Sequence, residues 1–281
     1  MNILFEPFQF EFFRNGTVTA VLVGALCGLI GVYIVLRGMS YIGHGLSHAI
    51  FGGAVASYVM SWNFYIGAGI WGFLAAILIN QTMRRTRISA DAAIGVITTA
   101  SFAFGVALIS RYRHFTRSFD AALFGNILGV TPQDVWVVLA TTLMIFILIF
   151  FFYKQLLFTT FNEEVARIYG VKTEWVDTLF ALMLAAALIV SMQILGVTLI
   201  AAALVIPAIT ARLLTDSFNR MVVISVLIGA ITGLVGMYAS YYVDIASGAT
   251  IVLVQAAIFS IALIATTLQK RASRRLMNIH V

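Results

Sequence analysis

Charged side chains are scarce in this sequence of 281 residues: together Asp, Glu, Lys and Arg make up 10% of it, against roughly a quarter of an ordinary water-soluble domain. Hydrophobic residues make up 62%, and the mean hydropathy is +1.02. This balance excludes a water-soluble globular fold. There is a single cysteine, Cys27, so an intrachain disulfide is excluded as well. Cys27 lies inside an apolar stretch, where we expect a small packed residue rather than a metal or redox site.

The sequence also lacks the phosphate-binding loop G-x-x-x-x-G-K-S/T. Without that loop the chain has no usual means of hydrolysing a nucleotide. If ATP is involved in its function, the ATPase must therefore be a second polypeptide, and we expect the chain itself not to be an enzyme.

What the sequence does contain is a series of apolar stretches, each close to the roughly 20 residues that a membrane-spanning helix requires. They are continuously apolar rather than alternating, which indicates helices and not barrel strands. We count nine, at 16–36, 45–61, 64–82, 92–110, 135–153, 177–194, 196–213, 221–242 and 249–268. The segment 177–213 is broken only by Gly196 and Pro207, so it forms either two tight antiparallel spans or one span plus a re-entrant piece. Pro207 removes a backbone donor and is expected to kink its helix.

We therefore expect an all-α, polytopic integral membrane protein, a single domain over 1–281 with about nine transmembrane helices, or eight. If Arg37 is cytoplasmic, thirteen of the 17 basic residues lie on that side. The other side keeps only Arg14, Arg111, Arg113 and Arg117. Because basic residues accumulate on the cytoplasmic side, the N-terminus is predicted outside and the C-terminus inside. The first span is too long for a signal peptide and is expected to be retained.

Two connections are long enough to carry structure. The outer one, 111–134, is predicted to contain a short helix at 119–128. The inner one, about 154–176, is predicted to contain a helix that begins after Asn162, a good N-cap followed by two glutamates that suit the helix dipole. Val165, Ile168 and Tyr169 share one side of it, and Gly170 ends it. Such a helix either lies on lipid or docks on a partner protein, and its acidic start favours docking. The tail 269–281 is basic and is interpreted as an anchor at the inner face.

All eleven carboxylates fall outside the predicted spans or at their boundaries, so the ionisable groups that enter the membrane are histidines. His44 and His48 lie one helical turn apart in the second span, which places both imidazoles on one helix face. Ionisable groups in a span mark a pathway or a site by default, and an imidazole pair can chelate a transition metal. Ser47 is a candidate oxygen ligand or hydrogen-bond partner. The alternative interpretation, two histidines bonded to carbonyls and packed between helices, is equally compatible with the spacing.

Other polar positions are weaker candidates. His114 in the outer loop and His280 in the tail fit solvated surface residues better than metal ligands. A catalytic zinc site of the H-E-x-x-H type is excluded, because Gly45 stands where the glutamate base is needed. Four glycines near the histidine pair allow either close helix packing or an ion path. They are Gly43, Gly45, Gly52 and Gly53.

Taken together, six stretches in the same order resemble the metal-transporting ABC permeases, the manganese, zinc and iron chelate uptake group. They are VLRGMSYIGHGLSHAIFGG (35–53), DAAIGVITTASFAFGVALIS (91–110), LFGNILGVTPQDVW (123–136), NEEVARIYGV (162–171), LGVTLIAAALVIPAITARLL (195–214) and YYVDIASGATIVLV (241–254). The resemblance implies a helix arrangement similar to the vitamin B12-type importer permeases, in a multi-pass protein of the bacterial cytoplasmic membrane.

The resemblance further implies partners and site residues. These are a second permease protomer, identical or not, a cytoplasmic ABC ATPase dimer, and an external metal-binding lipoprotein or periplasmic binding protein. No nucleic acid is expected. The ATPase would grip the inner loop at Glu163, Glu164, Ala166 and Gly170.

The metal motif of the family is of the Asp-x-x-Ser-His type in the second span. His48 and Ser47 match it, whereas His44 stands where the aspartate is expected, which favours zinc or iron over manganese. The predicted function is uptake of a divalent zinc, manganese or iron ion by alternating access, with no permanently bound cofactor. The alternative is an ion-coupled secondary transporter that works without an ATPase.

Overall fold

The structure, a computed structural model, describes residues 5–86, 88–112, 123–125 and 129–277, apart from the side chains of 90 and 270–277. The described residues form a short 3-10 turn at Glu6–Gln9 and ten α-helices. The helices are α1 (Glu11–Leu36), α2 (Ser40–Val59), α3 (Phe64–Arg85), α4 (Ala90–Arg111), α5 (Pro132–Phe151), α6 (Tyr153–Phe161), α7 (Glu163–Ile168), α8 (Thr173–Leu214), α9 (Phe218–Val243) and α10 (Ser247–Met277).

The long helices lie where the apolar stretches predict them, with ends that differ by up to about five residues. The exception is α10, which continues beyond its predicted end at 268 into the basic tail, as far as Met277. Seven of the described helices are long and apolar enough to cross a membrane, and α2 is the one long helix that is not among them. Glycines, serines and two histidines lower its hydropathy. The all-helical fold class is confirmed, while the number of crossings and the side on which each terminus lies stay predictions. Of the predicted helix at 119–128 the structure describes 123–125, so this prediction lies largely outside the described residues, as do His114 and His280.

Side-chain caps set several helix starts. Asn63 accepts a hydrogen bond from the amide of Tyr65 at the start of α3. Thr131, directly before Pro132, and Asp134, two residues after it, form a reciprocal capping box at the start of α5, and such boxes satisfy two otherwise unpaired amide groups. Caps of this kind fix where these two helices begin.

The long helix α8 reverses direction at Gly196, whose φ of 75° and ψ of 163° are the non-helical dihedrals within it. Before that point Asp177 pairs with Arg37 at one end of the bundle, and Gln193 bonds to Tyr65 at the other. After it, residues 197–214 return, because Ala208 and Ala211 pack with Val32 of α1 in one buried cluster. The two segments are therefore antiparallel. Of the two residues that interrupt the predicted run, Gly196 is therefore the one at which the direction changes, while Pro207 lies within helical backbone. The kink expected at Pro207 stays a prediction.

These contacts define two ends that are named below. The Arg37 end carries Arg37, Arg84 and Asp177, and the Asp134 end carries Tyr65, Asp134 and Gln193. The excess of lysine and arginine on the side of Arg37 predicts that the Arg37 end is cytoplasmic.

Helices α1 and α9 are in backbone contact along a glycine seam. A Cβ atom on Gly24 would overlap the carbonyl of Gly229, and a Cβ atom on Gly229 would overlap the carbonyl of Gly24. One turn further along, Ser225 donates a 2.6 Å hydrogen bond to the carbonyl oxygen of Gly28. Close approach of this kind is how small residues join helices in membranes, so these two helices form one interlocked pair.

A second interlocked group consists of α2, α3 and α4. A Cβ on Gly53 of α2 would overlap Trp71 and approach the carbonyl of Gly67 on α3, and a Cβ on Gly52 would overlap the carbonyl of Ser101 on α4. Gly52 and Gly53 therefore serve close packing, which is one of the two roles expected for the glycines near the histidine pair.

Candidate functional site

His44 and His48 lie side by side on α2, with ring centroids 4.6 Å apart and ring planes at 80°. The predicted arrangement of both imidazoles on one helix face is therefore present. It follows from the i, i+4 spacing alone, because residues four apart are neighbours on a helix surface.

The surroundings of the pair are aromatic. The ring of His48 packs edge-on against Phe102 of α4 at 4.9 Å, and the ring of His44 lies 5.6 Å from that of Tyr41. Both histidines are half-buried. The Nδ1 atom of His48 is buried and has no hydrogen-bond partner in the described part of the chain. Buried polar atoms are nearly always paired, so this nitrogen departs from the interpretation in which both histidines bond to carbonyls.

Ser47 occupies a different environment from the two imidazoles. It is 1% exposed, and its hydroxyl lies within hydrogen-bonding distance of two carbonyl oxygens, 2.8 Å from that of His44 and 3.1 Å from that of Val197. It therefore ties α2 to the returning half of α8 directly after Gly196. The structure places Ser47 beside the pair, with its hydroxyl hydrogen directed to the backbone.

The pair does not form a complete metal site by itself. Among the described residues, no group of three or more His, Cys, Asp or Glu side chains is close enough together to hold one ion. Zinc usually takes four ligands and other transition metals take as many or more. Of these four residue types, the described part of one chain thus supplies only the two imidazoles at this position.

A cavity of about 610 Å³ opens at the Arg37 end between α2, α3, α6, α7 and α8. Apolar side chains and the polar residues Asn80, Thr159 and Thr160 line its walls. Its rim carries three arginines and three carboxylates, which are Arg37, Arg84, Arg167, Glu163, Glu174 and Asp177. Ile42 and Leu46 line it from α2, on the face of the helix away from the imidazoles. The cavity is thus separate from the histidine pair.

The rim residues form a chain of ion pairs. Asp177 accepts a hydrogen bond of 2.8 Å from Arg37 through one oxygen and bonds to Arg84 through the other. Arg84 also lies 3.5 Å from Glu163, which accepts a 2.7 Å bond from Arg167. Arg37 is almost buried, with further bonds to the hydroxyls of two neighbouring residues of α6, Thr159 and Thr160. Burial lowers the pKa of Arg37, and the charge and hydrogen bond of Asp177 oppose that shift.

The short helix α7 stands at this same end. Asn162 caps it by accepting a 3.0 Å hydrogen bond from the amide of Val165, as the sequence predicts. Ala166 is fully buried against the bundle, whereas Ile168 and Tyr169 are 82% and 74% exposed. Gly170 ends the helix with φ of 79° and open space around it.

Glu163 fixes the first turn of α7. Partial burial raises the pKa of its carboxyl, but the hydrogen bond from Arg167, the charge of Arg84 and the hydrogen bond from Thr173 together lower it below 4.5. Glu163 is therefore ionised at neutral pH and holds α7 to the start of α8. Glu164, by contrast, is exposed.

Sequence reasoning missed two groups of residues. One is the ion-pair chain around Asp177, whose members are up to 140 positions apart. The other is at the Asp134 end, where the hydroxyl of Tyr65 donates a 2.6 Å bond to Asp134 and lies 3.1 Å from the side-chain oxygen of Gln193. Their position at predicted span boundaries is a signal, but the pairing of partners so distant in sequence is not readable from spacing.

Comparison with known proteins agrees with this architecture. The model of the ABC 3 transport family matches residues 9–266. The chain is 38% identical over 254 residues to the manganese transport system membrane protein MntC of Listeria monocytogenes, which covers 90% of each chain. It is 33% identical over 289 residues to the chelated iron transport system membrane protein YfeC of Yersinia pestis, which covers 100% of this chain and 98% of the relative.

A solved structure supports the same conclusion. PsaBC from Streptococcus pneumoniae, determined in complex with Fab, superposes with a TM-score of 0.82 at 36% identity, over 90% of this chain and 91% of that one. The family resemblance expected from six sequence stretches is thereby confirmed. The chain belongs to the ABC 3 transport family, as a multi-pass membrane-spanning transport subunit and not an enzyme.

Proposed function

We propose that this chain is the permease subunit of an importer that takes up a divalent zinc, manganese or iron ion by alternating access, driven by a separate ATPase. The observation that carries the proposal is the histidine pair of α2, with two rings 4.6 Å apart and a buried Nδ1 atom that has no protein partner among the described residues. The names of its relatives, which refer to manganese and to chelated iron, support a metal cargo.

The ion would be held by His48 and His44, with Ser47 fixing the position of α2. Because two imidazoles from one chain fall short of the ligand number of a transition metal, we propose that a second permease protomer supplies the rest. His44 in place of a carboxylate removes a negative charge and offers a softer ligand, which favours zinc or iron over manganese. The ion is a cargo and not a resident cofactor.

The ATPase dimer would dock at the Arg37 end, on the cytoplasmic side. In support, α7 presents exposed apolar side chains away from the bundle, Ile168 and Tyr169, while Ala166 anchors it from behind. Phe158 and Phe161 of the preceding helix extend this exposed surface. Exposed contiguous apolar surface outside the lipid region is typical of a protein interface. Glu163 and Glu164 lie in the first turn of α7, and Gly170, with its positive φ, allows the backbone to turn sharply after the helix.

Orientation and delivery complete the proposal. With the Arg37 end inside, the N-terminus lies outside and the basic tail 269–281 lies at the inner face. The opposite, Asp134 end would then receive the ion from an external binding lipoprotein or a periplasmic binding protein.

The test is metal uptake by vesicles that contain the permease, the ATPase that copurifies with it and a metal-loaded binding protein. We expect uptake to require ATP and to fall by about tenfold or more in His48→Ala, as expected for the loss of a metal ligand. His280→Ala, which removes an imidazole outside the pair, is the matched control and should transport normally. Uptake by vesicles that contain this chain alone would instead establish the secondary-transporter alternative, and normal uptake by His48→Ala would refute the site.

A further inference from the structure

A single nitrogen of Arg84 serves two carboxylates on different helices. Its Nη2 atom bonds to Asp177 on α8 and lies 3.5 Å from Glu163 on α7. We propose that Arg84 is a positioning residue that exchanges between these two acceptors and thereby couples the movement of α7 to α3. This inference rests on the proposed function, because it concerns how the ATPase drives the transport site.

The two acceptors are held very differently. Asp177 is fixed by Arg37, which is itself bonded to Thr160 and lies 4.4 Å from the centre of the Phe180 ring. Asp177 therefore cannot follow a moving helix. It is the stationary acceptor.

The other bonds of Glu163, in the described part of the chain, join it to a residue of its own helix and to the first residue of α8. It accepts from Arg167 at 2.7 Å and from Thr173 at 3.2 Å, and its side chain is 43% exposed. When α7 shifts with a bound ATPase, Glu163 moves with it. The 3.5 Å contact between Arg84 and Glu163 is then either shortened or broken. This ion pair is therefore the one in the series that can form and break during transport.

Arg84 is well placed to pass such a shift onward. It lies in the last turn of α3, and α3 is interlocked with α2 through Gly53 and Gly67, where each backbone approaches the other too closely for a Cβ atom. A displacement of α3 must therefore carry α2, and with it His44 and His48. Coupling travels through contiguous packed elements that have two discrete arrangements.

The cavity of about 610 Å³ provides the space for this movement, since Arg84, Asn80 and Met83 of α3 form one of its walls. The rim also carries three arginines and three carboxylates. Exchange of Arg84 between two carboxylates therefore leaves the summed charge of the rim unchanged. Neither arrangement buries a charge without a counter-ion close by, which keeps the two states close in energy.

The test compares ATP hydrolysis with metal uptake in the same vesicles. In Arg84→Gln we expect the number of ions transported per ATP to fall about fivefold or more, the size of a typical coupling between sites, while the ATPase still copurifies and hydrolyses ATP. Arg84→Lys, which keeps the charge, should retain most of the coupling. Arg85→Gln is the matched control, because Arg85 is the next residue of the same helix and is exposed; it should behave like the native protein.

Whether the effects of substituting Arg84 and Glu163 add up shows whether Glu163 is the partner through which Arg84 acts. If Arg84 acts through Glu163, the double variant Arg84→Gln with Glu163→Gln should transport no fewer ions per ATP than either single variant. If Arg84→Gln fails to fold, Glu163→Gln alone carries the test and should show the same loss of coupling. A native ratio in both single variants, strictly additive losses, or loss of ATPase binding in Arg84→Gln would each overturn the inference. Absence of ATP-dependent uptake by the native protein would instead count against the proposed function.

Discussion

Arg37 donates a 2.8 Å hydrogen bond to Asp177 and so joins the end of α1 to the start of α8 across 140 positions of the sequence. The side chains of this pair are only 9% and 19% exposed. In so sheltered a place a charge without its partner is costly. The pair is therefore a structural anchor of the Arg37 end.

Asp177→Asn should destabilise the protein, because it leaves Arg37 and Arg84 without their common counter-charge. We expect a loss of about 1–3 kcal/mol in the free energy of unfolding, below the range for fully buried pairs since some water reaches this one. Thermal unfolding in detergent measures it as a lower melting temperature. Asp91→Asn, at an exposed carboxylate on the first turn of α4, should change the melting temperature little, and an equal shift in both variants would contradict the anchor.

Acidification should release α7. The pKa of Glu163 is depressed below 4.5 in the folded chain, so the stabilisation that its ionised form provides is complete at neutral pH and is lost as the pH falls through that lowered value. Amide hydrogen exchange of 163–168 between pH 7 and pH 3, corrected for the intrinsic exchange rate, should show protection that drops only below about pH 4.5. In Glu163→Gln the same segment should lack this transition; if the transition persists, another carboxyl group causes it.

Gly196→Ala should disrupt the hairpin of α8. The dihedrals of Gly196, φ 75° and ψ 163°, belong to a region that is essentially restricted to glycine, and a Cβ there would overlap the backbone of Leu123 and Gly125. We expect a destabilisation of about 2 kcal/mol or more, seen as a lower melting temperature and a lower yield of monodisperse protein. Gly95→Ala is the control, because a Cβ on Gly95 meets nothing within 4 Å and alanine favours the helix by about 0.5–1 kcal/mol.

His44→Asp should change which ion is preferred. A carboxylate in place of an imidazole adds a negative charge and a hard oxygen ligand, which suits manganese better than zinc. Competitive uptake of the two ions by reconstituted vesicles should shift toward manganese by about tenfold, equivalent to roughly 1.4 kcal/mol of differential binding. His44→Asn, of similar size but uncharged, separates the effect of charge from that of shape. An unchanged preference in His44→Asp would refute His44 as a ligand of the proposed metal site.

Features encoded by neighbouring residues were the predictable ones. The apolar runs predicted the positions of the long helices, Asn162 predicted the start of α7, and the spacing of His44 and His48 predicted two imidazoles on one face. Each depends on residues within a few positions of one another, whose geometry a helix fixes.

Features that depend on long-range packing were not predictable in the same way. Where 177–213 turns is visible only in the backbone dihedrals of Gly196, since glycine in a sequence is compatible with a turn or a packed helix. Arg37, Asp177 and Arg84 come from three different helices, and only the folded bundle brings them together. The sequence predicts Ser47 as an oxygen ligand or hydrogen-bond partner near the imidazoles. It does not indicate that the carbonyl oxygen of Val197, 150 positions away, accepts a hydrogen bond from the Ser47 hydroxyl.

The glycine seam between α1 and α9 has a practical consequence for watching this transporter work. The carbonyl groups of Gly24 and Gly229 each occupy the space that a side chain on the other glycine would fill. The two helices therefore cannot slide along one another without a steric clash between their backbones. A pair of spin labels, one on each of these helices, should therefore report a single narrow distance throughout the transport cycle. The constant distance between α1 and α9 provides an internal reference. Distances from these two labels to a third label on α3 would then show how far the group of α2, α3 and α4 moves.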